Sequence, residues 1–161
     1  MANEKIRAIV VTVSDSRTEA DDVSGGALVE LLLEIGAEIV ERIIVSDDFE
    51  NLRQTLYVLT GRDDANLILT TGGTGFAPRD NTPEATRAVI EREANGLAEA
   101  MRFETLKNTP TAMLSRGVCG IRGKTLIINL PGSLNGAREC FEVIKPVLQH
   151  AINLISAKTE H

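Results

Sequence analysis

The chain has 161 residues, 43% apolar and 25% charged, which suits one globular domain burying about 70% of its unfolded surface. A net charge of −6 with scattered Lys and Arg argues against a general nucleic-acid binder, and 3% aromatics without Trp argue against base-stacking platforms. No apolar run approaches the roughly 18 residues of a membrane-spanning helix, and Met1 to Lys5 is polar without a signal segment, so a soluble cytoplasmic protein is expected.

Ile6 to Val13 is a continuous run rich in Ile and Val, the pattern of a strand covered on both faces. Leu28, Leu31, Leu32 and Ile35 repeat at helical spacing and stop at Gly36, and Glu38 to Val45 reads as a second strand. Phe49, Leu52, Leu56 and Leu59 mark an amphipathic helix closed by Gly61, with Asp47 or Asp48 as its N-cap. Leu67 to Thr70 begins a third strand that breaks into Thr71-Gly72-Gly73-Thr74-Gly75. Thr82, as N-cap, and Pro83, at the first helical position, then open a helix to about Ala94. A further helix is predicted from Gly96 to about Lys107, a short pairing segment over Ala112 to Val118, and a strong strand over Lys124 to Leu130. Pro131-Gly132-Ser133 turns the chain into a last helix through Phe141, Ile144, Leu148, Ile152 and Ile155, which Pro146 is predicted to kink or break near Lys145. Strands alternating with helices over short connections imply an α/β fold with a parallel sheet, right-handed crossovers and helices on both faces.

In such a sheet ligands bind outside the carboxyl ends of the strands. The loops there are Ser14-Asp15-Ser16-Arg17, Ser46-Asp47-Asp48, the glycine run with Arg79-Asp80 beyond it, and Asn129-Leu130-Pro131-Gly132-Ser133. Glycine backbone N–H groups near a helix start suit an anion. Carboxylates on neighbouring loops suit a divalent cation carried on phosphates, so the constellation points to phosphoryl or nucleotidyl transfer. The run is not a P-loop, because no Gly-Lys-Ser/Thr follows, nor a dinucleotide fingerprint, because Pro78 stands where the third glycine belongs. The alternative for Asp15 and Arg17 is solvated loop residues, and for the glycine run plain turn chemistry. Ser115-Arg116 lacks a nucleophile elbow and a partner His, which leaves Ser115 as a hydrogen-bond donor to an anionic ligand. Cys119 and Cys140 read as buried packing residues, and neither His150 nor His161 as a base or zinc ligand.

Thr71-Gly72-Gly73-Thr74-Gly75 with Arg79-Asp80-Asn81-Thr82-Pro83-Glu84-Ala85, Ser115-Arg116 with Gly120-Ile121-Arg122, and Asn129-Leu130-Pro131-Gly132 resemble the molybdopterin adenylyltransferase family. These MogA/MoaB-like proteins are also found as the G domain of gephyrin and its plant counterpart, and the likeness covers nearly the whole chain, as one domain over 1–161. The resemblance implies a three-layer α/β/α fold with a mostly parallel central sheet, usually a homotrimer. It implies binding of molybdopterin and Mg-ATP, formation of adenylylated molybdopterin and pyrophosphate for molybdenum cofactor biosynthesis, and contact with the molybdenum insertase. Carried over by motif, Asp47 and Asp80 are the catalytic carboxylates and the magnesium ligands. Thr71, Gly72, Gly73, Thr74, Gly75, Arg79, Ser115, Arg116, Asn129, Pro131, Gly132, Ser14 and Asp15 are the substrate-binding set, Ser115 and Asn129 on the pterin dithiolene and phosphate side. The first loop and Pro131-Gly132-Ser133 resemble the MoaB-like branch, some members of which have lost the acidic pair and are inactive; this chain keeps the pair. The alternative is a non-catalytic pterin-binding or scaffold protein of the same fold. A CinA-like domain shares the glycine loop but usually accompanies a further domain.

Overall fold

The computed structural model describes residues 2–157. The elements are β1 (Arg7–Val13), α1 (Val23–Glu34), β2 (Glu38–Val45), α2 (Phe49–Thr60), β3 (Leu67–Thr71), α3 (Thr82–Val89), β4 (Arg92–Glu93), α4 (Asn95–Leu106), a 3-10 turn (Pro110–Leu114), β5 (Cys119–Arg122), β6 (Thr125–Leu130) and α5 (Leu134–Ser156). They build one six-stranded sheet in the order β2-β1-β3-β6-β5-β4, in which β2, β1, β3 and β6 are parallel, β5 pairs antiparallel with β6, and β4 antiparallel with β5.

Strand periodicity divides the core. Ala8, Val10, Leu67, Leu69, Leu126 and Ile128 face α1, α4 and α5, while Ile9, Val11, Ile68 and Ile127 face α2 and α3. Both faces are therefore covered, which is why these strands read as unbroken apolar runs, and the result is the expected three-layer α/β/α arrangement.

Four local readings are corrected. The helix after the glycine loop ends at Val89, because Ile90 turns extended and the Glu91 and Ala94 N–H groups donate to Ile121 O (2.8 Å) and Cys119 O (2.9 Å), adding β4 to the sheet. Its N-cap is Asn81 rather than Thr82, whose hydroxyl instead donates to Gly72 O at 2.8 Å. The segment from Ala112 to Val118 forms no strand: Ala112 to Leu114 belong to a 3-10 turn that starts at Pro110, Val118 O is the first group to bond the backbone of β6, accepting from Asn129 N–H at 3.0 Å, and β5 begins only at Cys119. Finally, α5 continues through Pro146. A proline inside a helix costs about 3 kcal/mol or more, but Phe141, Ile144, Leu148 and Ile152 are each essentially fully buried, at roughly 1.5–3 kcal/mol apiece, so packing wins. Pro146 also lies on the exposed face, where water can take the carbonyl left without a donor.

Cys119 and Cys140 are buried and free. Burial pushes the Cys119 thiol up to about 12 and the Cys140 thiol up to about 11, so both stay protonated and inert. Iodoacetamide at pH 8 is expected to alkylate the native protein at least ~100-fold more slowly than the unfolded chain. Rapid labelling of the native state would refute this assignment. His150 is exposed on α5, and His161 lies outside the described residues. Among the described residues no helix is long and apolar enough to cross a membrane.

Candidate functional site

Because β1, β2, β3 and β6 are parallel, the loops after them share one rim. The glycine loop is drawn over it by backbone that only glycine tolerates well: Gly72 and Gly73 have φ of 104° and 69°. A Cβ on Gly72 would lie 2.6 Å from Val13 O. Gly72 N–H donates to Leu130 O at 3.2 Å, Thr82 N–H to Gly73 O at 3.1 Å, and the Thr71 hydroxyl to Pro131 O at 2.7 Å, which ties the β3 and β6 loops together.

Beside this loop opens a cavity of about 500 Å³. Gly73, Thr74, Gly75 and Asp80 form one wall, and Pro131, Gly132 and Ser133 with the first turns of α5 another. Ser115, Gly117 and Asn129 also line it. The remaining wall was missed by sequence reasoning: Ala98, Met101, Arg102 and Thr105 on one face of α4, with Thr109, Thr111, Ala112 and Leu114 from the 3-10 turn. Their three- and four-residue spacing was legible as a helix face, but it reads equally as core. Arg102 Nη1 donates to Gly117 O at 2.9 Å and bridges α4 to the segment carrying Ser115.

Several predicted site residues support the cavity from within the framework. The buried Asn129 accepts from Val118 N–H with Oδ1 and donates with Nδ2 to the Thr70 and Thr86 hydroxyls, all at 3.0 Å. Arg116 does not line the cavity; its guanidinium donates to Gly75 O and Asp80 O, both at 2.8 Å, and pairs with Glu84. Ser14 Oγ accepts from the Ser16 and Arg17 N–H groups and shapes the first loop. Arg17 is more than a solvated residue, since Nη1 reaches Gly132 O at 3.4 Å and lies 3.9 Å from the buried Asp22.

Outside the cavity, the rim carries charge. Asp15 pairs with Arg79 and accepts from Ser46 Oγ (2.8 Å) and Asp47 N–H (3.0 Å). The Ser46 bond, the Asp47 bond and the Arg79 charge hold its carboxyl below the usual range. Asp48 caps α2 by accepting from Asn51 N–H at 2.9 Å, which leaves the half-buried Asp47 carboxylate to the rim. Partial burial first, then the charges of Asp15 and Asp80, push Asp47 upward against the pull of Arg79. The Asn81 carboxamide donates to Asp47 O at 3.1 Å and links the second loop to the glycine loop. Among the described residues no group of three or more acidic, His or Cys side chains could hold a metal by itself. A magnesium ion here would take Asp47 and Asp80 plus oxygens of a bound phosphate, its common mode, and the excess negative charge around Asp47 suits a cation.

Residues 9–150 match the family model described as a probable molybdopterin binding domain. The chain is 46% identical over 155 residues to the molybdenum cofactor synthesis protein cinnamon of Drosophila melanogaster, spanning 94% of this chain but 26% of that protein. It is 41% identical over 150 residues to the molybdopterin adenylyltransferase of Helicobacter pylori, covering 91% of this chain and 85% of that one. The fold superposes with a TM-score of 0.87 on the molybdopterin biosynthesis enzyme MoaB of Thermus thermophilus, at 48% identity over 95% of this chain and 98% of that chain.

Proposed function

The chain belongs to the family of probable molybdopterin binding domains, and from that premise we propose that it is a molybdopterin adenylyltransferase acting in molybdenum cofactor biosynthesis. The observation that carries the catalytic reading is the division of labour between adjacent carboxylates: Asp48 is spent on the α2 cap, and Asp47 faces the rim within the field of Asp80.

In this reading the cavity holds molybdopterin, with Ser115 and the glycine-loop N–H groups turned to its polar edge and the α4 face against the ring. ATP lies over the rim. Asp47 and Asp80 would hold magnesium, which supplies charge neutralisation for the phosphates when bound. Arg79, largely exposed, is free to leave Asp15 for a phosphate oxygen. A phosphate oxygen of the pterin forms the new bond to the α-phosphorus, the bond from that phosphorus to the β-phosphate oxygen breaks, and pyrophosphate leaves with its electron pair. Positioning and electrostatics carry the step, and no protein nucleophile is needed. Incubation with molybdopterin, ATP and magnesium should release pyrophosphate; pterin binding with no release would favour the non-catalytic alternative.

The carboxylates also set a pH dependence. Asp47 must be ionised to hold a cation, and in the free enzyme it lies above the ordinary 3.8, so kcat/KM, which reports that form, should fall at a higher pH than for a free Asp. Arg79→Ala removes a charge that lowers Asp47, so the acid limb of kcat/KM should move further up; an unmoved limb would take Asp47 out of it. For stability the signs differ. Ionised Asp47 opposes folding, so its contribution improves as pH falls through the raised value, whereas that of Asp15 is present above 3.8 and lost as pH falls through its lowered one.

The family reading also includes a cytoplasmic homotrimer that hands its product to the molybdenum insertase. Exposed apolar residues such as Phe76, Phe103 and Met113 supply surface that an oligomer would cover. Light scattering should give three times the chain mass, and a monomer mass across a wide concentration range would remove the trimer.

A further inference from the structure

We infer that Arg116 and Glu84 are a positioning pair that sets the geometry of the glycine loop and, through it, of the Asp80 carboxylate. Three carbonyls of one loop converge on a single residue far along the chain. Arg116 N–H donates to Thr74 O, Nε to Gly75 O and Nη2 to Asp80 O, each at 2.8 Å. The remaining guanidinium nitrogen, Nη1, pairs with Glu84 in the first turn of α3. Every nitrogen of Arg116 is thus engaged, and the loop is held at both ends against a helix.

Two observations separate this arrangement from an ordinary surface ion pair. Glu84 Oε2 is buried and accepts no hydrogen bond, a penalty that the adjacent guanidinium offsets. The grip also passes beyond the pair: Asp80 Oδ2 accepts from Ala77 N–H at 2.9 Å, and the next residue, Asn81, donates to Asp47 O at 3.1 Å. Both proposed metal-holding loops are therefore referenced to Arg116. Arg116→Ala keeps the backbone N–H bond to Thr74 O and removes no contact within the sheet or between the helices, so it should loosen the loop without unfolding the domain.

The kinetic part rests on the adenylyl-transfer reading. Arg116→Ala should lower kcat about 100-fold while KM for molybdopterin and ATP stays within about threefold, because misplacing a reacting group slows the step more than it weakens binding. If Arg116 and Glu84 act as one unit, the variant Arg116→Ala/Glu84→Ala should be no slower than Arg116→Ala alone. Glu84→Ala should lose activity, and Glu84→Gln, which keeps an oxygen for Arg116, should recover most of it. Additive losses in the double variant, or a KM for molybdopterin raised tenfold with kcat intact, would overturn the proposal in favour of direct contact. Amide hydrogen exchange gives a readout independent of turnover: residues 75–81 should exchange about tenfold faster in Arg116→Ala while β1 and β3 stay protected. Unchanged loop exchange would refute the clasp whatever the kinetics. A parent protein that releases no pyrophosphate would remove the adenylyl-transfer reading and leave the exchange result to decide the clasp.

Discussion

Asp47→Asn is expected to melt within about 2 °C of the parent while pyrophosphate release falls at least ~100-fold. The reasoning turns on the neighbouring carboxylate. Asp48 accepts from Asn51 N–H and caps α2, so replacing Asp47 removes no cap. Asn is close in shape to Asp but carries no charge for a cation, and ionised Asp47, partly buried and beside Asp15 and Asp80, opposes folding, so the substitution should not destabilise. The reciprocal variants sharpen the contrast. Asp48→Asn caps about as well as Asp and should alter turnover little, whereas Asp48→Ala should cost about 0.5–2 kcal/mol of stability and leave the chemistry working. If Asp47→Asn melted normally and released pyrophosphate at the parent rate, the carboxylate assignment would be wrong and Asp48 would become the candidate.

Asp80→Asn is expected to separate binding from chemistry, keeping molybdopterin affinity within about threefold while abolishing nearly all turnover. Asp80 is only one of many groups on the cavity; Ser115, Gly117, Met101 and the backbone of Gly73 to Gly75 remain. Asn retains an oxygen for the Ala77 N–H, so the local turn should persist and the loss should be that of charge. Titration calorimetry with molybdopterin gives the affinity and pyrophosphate release gives the rate. A variant that bound pterin much more weakly yet turned over what it bound at the normal rate would reverse the assigned roles.

The elements that sequence reasoning located best are those whose signal is local. Ile6 to Val13, Glu38 to Val45 and Lys124 to Leu130 each match a strand to within a residue: β1 and β6 because burial on both faces leaves an apolar run, and the half-buried edge strand β2 because its Ile and Val residues outweigh Glu41 and Arg42. Gly36 and Gly61 stop their helices where expected, and the rim loops follow from parallel order alone. The glycine loop, with Asp80 beyond it, was legible for the same reason: turn chemistry is written in consecutive residues.

What the chain did not reveal along its length depends on partners distant in sequence. Asp47 and Asp48 are equivalent as letters, and only the position of Asn51 N–H assigned one to the helix and the other to the rim. Arg116 and Asn129 read as ligand contacts from their motifs; Asn129 does line the cavity, and the structure adds that their polar atoms also meet Gly75, Asp80 and Glu84, and Thr70, Thr86 and Val118, groups distant in sequence. The α4 wall of the cavity has the same spacing as a core face, and only the tertiary structure sets Ala98, Met101, Arg102 and Thr105 beside the 3-10 turn, Ser115 and the glycine loop around one cavity. Pro146 stayed helical because tertiary burial of its neighbours outweighed a local preference. Local propensity and periodicity are properties of a few adjacent residues, whereas which polar groups are left free for a ligand is settled by how the whole chain satisfies its own hydrogen bonds.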